Sequence, residues 1–236
     1  PTVVHIIHFN GNGDITDLQV KDGIRVINED FRRTNADTTN GNPIFYPFAA
    51  DCKIEFRLAK LDPNGDSTTG ITRTDTSIYP HPEPTNTNFN NVKYVSHWPS
   101  HMYFNIWLTR HISGGANGYA QYPGTAFTYG GPWKTYGPTI RSYEWGTIGS
   151  STSDGRVATH EIGHCLGLYH TFLSFSTGCG AECDTTGDEV CDTPPTTPTY
   201  NCDTSNLCTN DLLGPSAFTM DMPDQLENYM SYNDCQ

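Results

Sequence analysis

Apolar positions recur along this chain with two different periods. Residues 3–9, Val-Val-His-Ile-Ile-His-Phe, form a β-branched apolar run closed by Asn10-Gly11-Asn12-Gly13, which predicts a buried first strand. Val20, Ile24, Ile27 and Phe31 then follow at spacings of four, three and four, and Thr16-Asp17-Leu18-Gln19 has the form of a capping box. An amphipathic helix running to about Arg33 is predicted, its apolar stripe backing the sheet. Residues 53–59 alternate apolar and polar with period two, the pattern of a half-buried strand, and a turn at Asp62-Pro63-Asn64-Gly65 follows. Residues 102–109, 119–122 and 139–143 supply three more strands. The polar stretch 75–99, rich in Pro, Asn and Thr, reads as a surface excursion that leaves His81 and His97 exposed. His5 and His8 lack partners at ligand spacing and read as structural.

The run Gly155-Arg156-Val157-Ala158-Thr159-His160-Glu161-Ile162-Gly163-His164-Cys165-Leu166-Gly167-Leu168-Tyr169-His170 carries the candidate chemistry. His160 and His164, four apart, project from one face of a helix a turn apart, a spacing that grips one Zn²⁺. Glu161 points beside that metal, where its carboxylate accepts a proton from an attacking water. Gly167 is placed to end the helix in a left-handed conformation and turn the chain so that His170 reaches the same ion. Three histidines leave one coordination position open, as a catalytic zinc site requires.

With 236 residues the chain is long enough for one large domain or two packed subdomains. Its formal charge of −13 argues against nucleic acid and anionic membrane surfaces, which need a basic face. No segment reaches the length of a membrane span. Residues 1–5 have no charged leader and read as a mature or trimmed start. Of the eight cysteines, Cys179, Cys183, Cys191, Cys202 and Cys208 crowd into residues 179–208, as a disulfide framework or a structural metal site. Irregular spacing and the lack of a C-x-x-C pair favour disulfides and an oxidising, extracellular setting. Between Gly114-Gly115-Ala116-Asn117-Gly118 and the following residues, a glycine-softened edge at Gly118, Tyr119 and Ala120 either binds an extended peptide by strand addition or is a generic hairpin.

The His160–His170 pattern resembles the metzincin zinc signature, and the rest of the chain resembles the pappalysin, or cytophagalysin-like, branch of these metallopeptidases. The resemblance rests on Asn28-Glu29-Asp30-Phe31-Arg32-Arg33, on the Gly114 to Ala120 stretch and on His170-Thr171-Phe172. It continues through Gly187-Asp188-Glu189-Val190-Cys191-Asp192-Thr193-Pro194 and Asn228-Tyr229-Met230-Ser231-Tyr232. It implies an α+β fold with a twisted, mostly parallel five-stranded sheet, a backing helix and an active-site helix, and a smaller irregular disulfide-linked C-terminal subdomain. A single catalytic domain over 1–236 is expected, with an upper subdomain 1–167 and a lower one 168–236.

The same resemblance implies a secreted zinc endopeptidase, made as a zymogen, that hydrolyses peptide bonds of protein substrates through metal-activated water with Glu161 as general base. Met230 corresponds to the Met-turn beneath the histidines, and Tyr232 to a tyrosine that hydrogen-bonds the developing oxyanion. Structural Ca²⁺ is implied near Asp188, Asp192 and the Val190 carbonyl. Asp234 is the nearest candidate for a pocket favouring a basic residue after the cut. Implied disulfides are Cys183 with Cys208 and Cys202 with Cys235, with Cys179 and Cys191 as a third. Cys52 and Cys165 then either bridge or remain two buried free thiols. Relatives continue into a closing C-terminal helix, whereas this sequence stops at Gln236. Protein or peptide substrates and a monomer are expected, with no nucleic acid and no membrane partner. The rival readings are an inactive fold used as a binding module and a closed structural metal site. Intact His160, Glu161, His164 and His170 count against the first, and the want of a fourth protein ligand counts against the second.

Overall fold

The computed structural model describes residues 1–77, 91–124, 134–172, 179, 182–198, 206–209, 212 and 214–232. The chain forms two compact units, the first of Pro1–Asn35 with Cys52–Gly167 and the second of Ala36–Asp51 with Leu168–Gln236. Residues 36–51 thus group with the C-terminal unit, although sequence reasoning assigned all of 1–167 to the first.

The first unit is built on a five-stranded sheet in the order β2-β1-β3-β5-β4. Its strands are β1 (Thr2–His8), β2 (Ile71–Asp75), β3 (Phe104–Thr109), β4 (Gly118–Tyr119) and β5 (Thr139–Arg141). All pairings are parallel except β4 on β5, which is antiparallel and leaves β4 at the edge. β1 is an interior strand between β2 and β3, covered on both faces, which is why its sequence is a continuous apolar run rather than an alternation. Val4, Ile6, Ile106, Leu108 and Ile140 share a core with Val20, Ile24, Ile27 and Phe31 of helix α1 (Asp17–Phe31) and with Ala158 and Ile162 of helix α3 (Arg156–Cys165). The stripe read from the sequence is therefore the buried face of α1. Val3 and Ile7 point to the opposite face, toward Tyr103 and toward Trp107 with Val92 of the short helix α2 (Asn91–Val95).

Only half of the expected capping box forms. Thr16 Oγ1 accepts from the Gln19 N–H at 3.2 Å, but the buried Gln19 amide donates to the carbonyls of Ser142 and Trp145 and accepts from Ser150 N. The loop before α3 has recruited the side chain that would have closed the box.

The strand expected at 53–59 does not form. Asn28 takes both backbone groups of Phe56, accepting its N–H at 2.7 Å and donating to its C=O at 2.9 Å, and Lys53 has positive φ. Among the described residues its one β-bridge is the parallel pairing of Thr2 with Leu58. The place beside β1 is taken by β2, whose alternation Ile71-Thr72-Arg73-Thr74 went unread. His97 is half-buried rather than exposed, and His81 lies outside the described residues.

His5 is structural. Its ring is fully buried, its Nε2 donates to Asn105 Oδ1 at 2.9 Å, and its Nδ1 lies 2.8 Å from each of the Thr72 and Ser96 hydroxyls, accepting from one of them.

The second unit is irregular. Phe45, Phe218 and Met222 form a small core, and Phe48 packs its ring edgewise on Phe218. Among the described residues two disulfides fasten it, and they correct the expected pairing: Cys179 is joined to Cys208 and Cys183 to Cys191. A tight turn explains the second bridge. Glu182 C=O accepts from Thr185 and Thr186 N–H groups and Thr186 C=O from Glu189, which folds the chain back so that Cys183 and Cys191 Cα atoms stand 4.9 Å apart. Cys202 and Cys235 lie outside the described residues. Cys165 is a buried free thiol, whereas Cys52 is free and exposed, so neither a bridge between them nor a pair of buried thiols is found.

Candidate active site

Helix α3 follows the left-handed N-cap Gly155 and is anchored near its start by α1. The carboxylate of Asp30, fully buried, accepts from Thr159 Oγ1 at 2.5 Å and faces Arg156 at 3.5 Å. Asp30 belongs to the 28–33 motif whose physical reason was not legible in the sequence. It holds the turn that immediately precedes His160.

His160 and His164 lie on one face with Nε2 atoms 3.1 Å apart and rings nearly perpendicular. Tyr122 sets its ring edgewise against His164, 5.3 Å between centroids. The helix ends as expected: Gly167 N–H bonds back to His164 C=O, and φ of +99° there is a conformation glycine adopts without a Cβ clash.

Glu161 is buried between α3 and the edge strand β4. Burial pushes its carboxyl up to about 8, and the charge of Lys93 acts in the opposite sense. Lys93, on α2, is itself fully buried. Its Nζ donates to the carbonyls of Thr135 (2.9 Å) and Gly137 (2.6 Å) and lies 5.0 Å from the centroids of both Trp107 and Tyr119. Burial pulls its ammonium down to about 7, against the opposing pull of Cys165 and Glu161. Cys165 is an inert thiol, raised by burial to about 12. Sequence reasoning missed Lys93, which sits in a polar stretch read as a surface excursion; its flanks Val92 and Val95 were the available signal.

In the second unit, the His170 ring stacks on Phe172 at 4.7 Å and meets the edge of Tyr232 at 4.6 Å. Met230 is buried, its N–H held by Asn228 Oδ1 at 2.9 Å and its carbonyl accepting from Thr171 N–H. Tyr232 is half-buried. Asp188 is half-buried in a turn where its Oδ1 accepts from Val190 N–H at 3.0 Å, and Asp192 is exposed. Burial raises the Asp188 carboxyl to about 6. Asp234 lies outside the described residues. Gly118, Tyr119 and Ala120 lie along and just past the edge strand.

Among the described residues, the group of ligating side chains suited to a metal ion is His160, His164 and His170, one nitrogen each. Its donor chemistry fits zinc. Two imidazole nitrogens at roughly 2.0–2.1 Å from a tetrahedral ion stand about 3.3 Å apart, close to the 3.1 Å found for His160 and His164.

A parallel sheet with a backing helix, a helix carrying H-E-x-x-H and a third histidine beyond a glycine define a zinc-dependent metallopeptidase of the metzincin class. Comparison with solved structures agrees. Mature mirolysin of Tannerella forsythia, in complex with a cleaved peptide, has a TM-score of 0.82 and 34% identity over all of this chain and 84% of that one. A promirolysin mutant of Tannerella forsythia gives a TM-score of 0.80 at 34% identity, over 99% of this chain and 73% of that chain. Residues 86–236 match the family described as pregnancy-associated plasma protein-A, so the chain belongs to the pappalysin family. An extracellular metalloprotease of Colletotrichum graminicola is 30% identical over 99% of this chain and 68% of its own length. One of Verticillium alfalfae is 29% identical over 78% of this chain and 51% of its own length. The chain is a zinc metalloendopeptidase acting on peptide substrates, and its family implies a catalytic zinc. Among the described residues no helix is long and apolar enough to cross a membrane.

Proposed function

We propose that His160, His164 and His170 hold the catalytic Zn²⁺ and that Glu161 is the general base of peptide hydrolysis. The observation that carries this reading is a buried carboxylic acid one residue along α3 from a pair of imidazole nitrogens at ligand separation. When bound, zinc supplies Lewis-acid polarisation of the scissile carbonyl and acidifies water. Glu161 takes the proton of the attacking water and delivers it to the leaving amine, and no acyl-enzyme forms. A carboxyl raised by burial suits a group that must both accept and return a proton near neutrality. Tyr232, ring edge to His170, donates its phenol to the developing oxyanion, and buried Met230 supplies the apolar floor.

Substrate in extended form adds to the edge of β4 along Gly118, Tyr119 and Ala120, a role that the strand's edge position supports. Asp188, with Asp192 and the Val190 carbonyl, binds structural Ca²⁺; a half-buried carboxylate whose neighbour Asp192 opposes its ionisation suits a hard cation. Asp234 favours a basic residue after the cut. The protein is secreted, by analogy with its extracellular relatives and with the disulfides of the second unit, and acts as a monomer.

Casein digestion with and without a zinc chelator, with zinc counted by elemental analysis, tests the centre. About one zinc per chain and chelator-sensitive cleavage are expected. The Glu161→Ala protein should keep its zinc and lose turnover by about a hundredfold or more. Wild-type turnover in zinc-loaded Glu161→Ala protein refutes the role of the base.

A further inference from the structure

Two features of the first unit bear on the base itself: a fully buried lysine on α2 and, in the substrate-binding edge, a glycine pressed against the carboxylate. The edge strand passes so close to α3 that a Cβ built on Gly118 would stand 2.7 Å from Glu161 Cγ, 2.8 Å from its Oε1 and 3.0 Å from its Cδ. These are its three nearest neighbours, so the space that any side chain at 118 would need is the space the carboxylate occupies. The next residue, Tyr119, lies with its ring against the Lys93 ammonium, and that ammonium also binds the carbonyls of Thr135 and Gly137 in the segment leading into β5. Since β5 is the partner of β4, one buried cation ties the edge strand to the segment that leads into its neighbour. Removing a full charge from water is costly, and here two carbonyls and two aromatic faces offset that cost.

We propose that Gly118 and Lys93 are positioning residues for Glu161: the bare Cα of Gly118 is the seat of its carboxylate, and Lys93 holds the strand that carries the seat. The proposal rests on Glu161 being the base. Neither residue touches the reacting atoms; each acts through the position of the carboxylate. A methyl at 118 pushes the carboxylate off its seat, and loss of the Lys93 ammonium lets the edge strand shift against α3.

The test uses the zinc-loaded chain and its Gly118→Ala, Lys93→Met, Glu161→Ala and combined variants, with kcat and KM measured on one quenched peptide and zinc counted for each. Gly118→Ala should lower kcat by about a hundredfold, the scale of a misplaced catalytic group, with KM within about twofold and one zinc retained. Lys93→Met should lower kcat about tenfold in the same way, and the double variant should lose less than the product of the two, because both act through one carboxylate. Adding Gly118→Ala to Glu161→Ala should not repeat the hundredfold loss of kcat it causes in the wild type, since the side chain that meets the methyl is gone. The proposal is overturned if Gly118→Ala keeps its kcat, if it raises KM alone, if the two losses multiply in full, or if it lowers the residual kcat of Glu161→Ala by the same factor as in the wild type. Should Lys93→Met fail to fold, Gly118→Ala and its combination with Glu161→Ala still decide the seat. Turnover that survives Glu161→Ala by itself would instead dismiss the base, a separate result.

Discussion

Acid should weaken this protein through one histidine that has no part in catalysis. His5 lies in the interior strand β1, its ring stacked on Trp107 at 5.5 Å and its two nitrogens bonded to Asn105, Thr72 and Ser96. Asn105 Oδ1 accepts from Nε2–H and a neighbouring hydroxyl donates to Nδ1, so the neutral ring is satisfied, and a second proton would place a charge in a site closed to water. Burial accordingly holds its pKa at about 4 against an ordinary 6.5, the Asn105 hydrogen bond acting the other way. The folded value lies below the unfolded one, so the unfolded chain binds the proton first. Stability is complete above pH 6.5, declines as pH falls from 6.5 to 4, and loses nothing further from this group below that. The 2.5-unit difference corresponds to about 3 kcal/mol, a large part of what a domain has to lose. Urea unfolding between pH 7 and pH 4, on wild type and His5→Gln at equal zinc loading, isolates the contribution. The carboxylates Asp22, Glu55 and Asp75, held below their ordinary values, lose stability mainly at lower pH and are common to both proteins. The variant should start less stable and show a shallower decline by about 3 kcal/mol over this range. Equal slopes in the two proteins would refute the account.

Removing the buried carboxylate of Asp30 leaves Arg156 nearly buried without its partner. Asp30→Ala should cost about 3–5 kcal/mol by urea or thermal unfolding, and zinc affinity, read by chelator competition, should fall as α3 loosens. Proteolytic mapping under non-reducing conditions should recover the pairs Cys179–Cys208 and Cys183–Cys191; a Cys183–Cys208 peptide would restore the pairing implied by family resemblance. Replacing Cys179 and Cys208 together by Ser opens the longer loop and should cost about 3–4 kcal/mol, against about 2–3 kcal/mol for the shorter one, on the chain-entropy argument.

What the sequence alone determined was what a few neighbouring residues decide together. The four-three-four spacing of Val20, Ile24, Ile27 and Phe31 marks a helix face whatever lies beneath it, and the same rule puts His160 and His164 on one side of α3. A glycine at 167 could be read as a helix end, because only the backbone at that residue had to accept a positive φ. Long-range pairing was beyond such rules. Alternation at 53–59 is compatible with a strand, but Asn28, 28 residues before Phe56, occupied the backbone groups that a neighbouring strand would have used. Disulfide partners followed from how the 182–189 turn folds, not from the order of cysteines. Residues 36–51 joined the C-terminal unit, a grouping that depends on a core of Phe45, Phe218 and Met222 gathered from distant parts of the chain. Lys93 is the clearest case. A lysine in a polar stretch is normally solvated, and it became a buried cation because the tertiary structure brought two carbonyls and two aromatic rings, from three other segments, to the one point that its ammonium reaches.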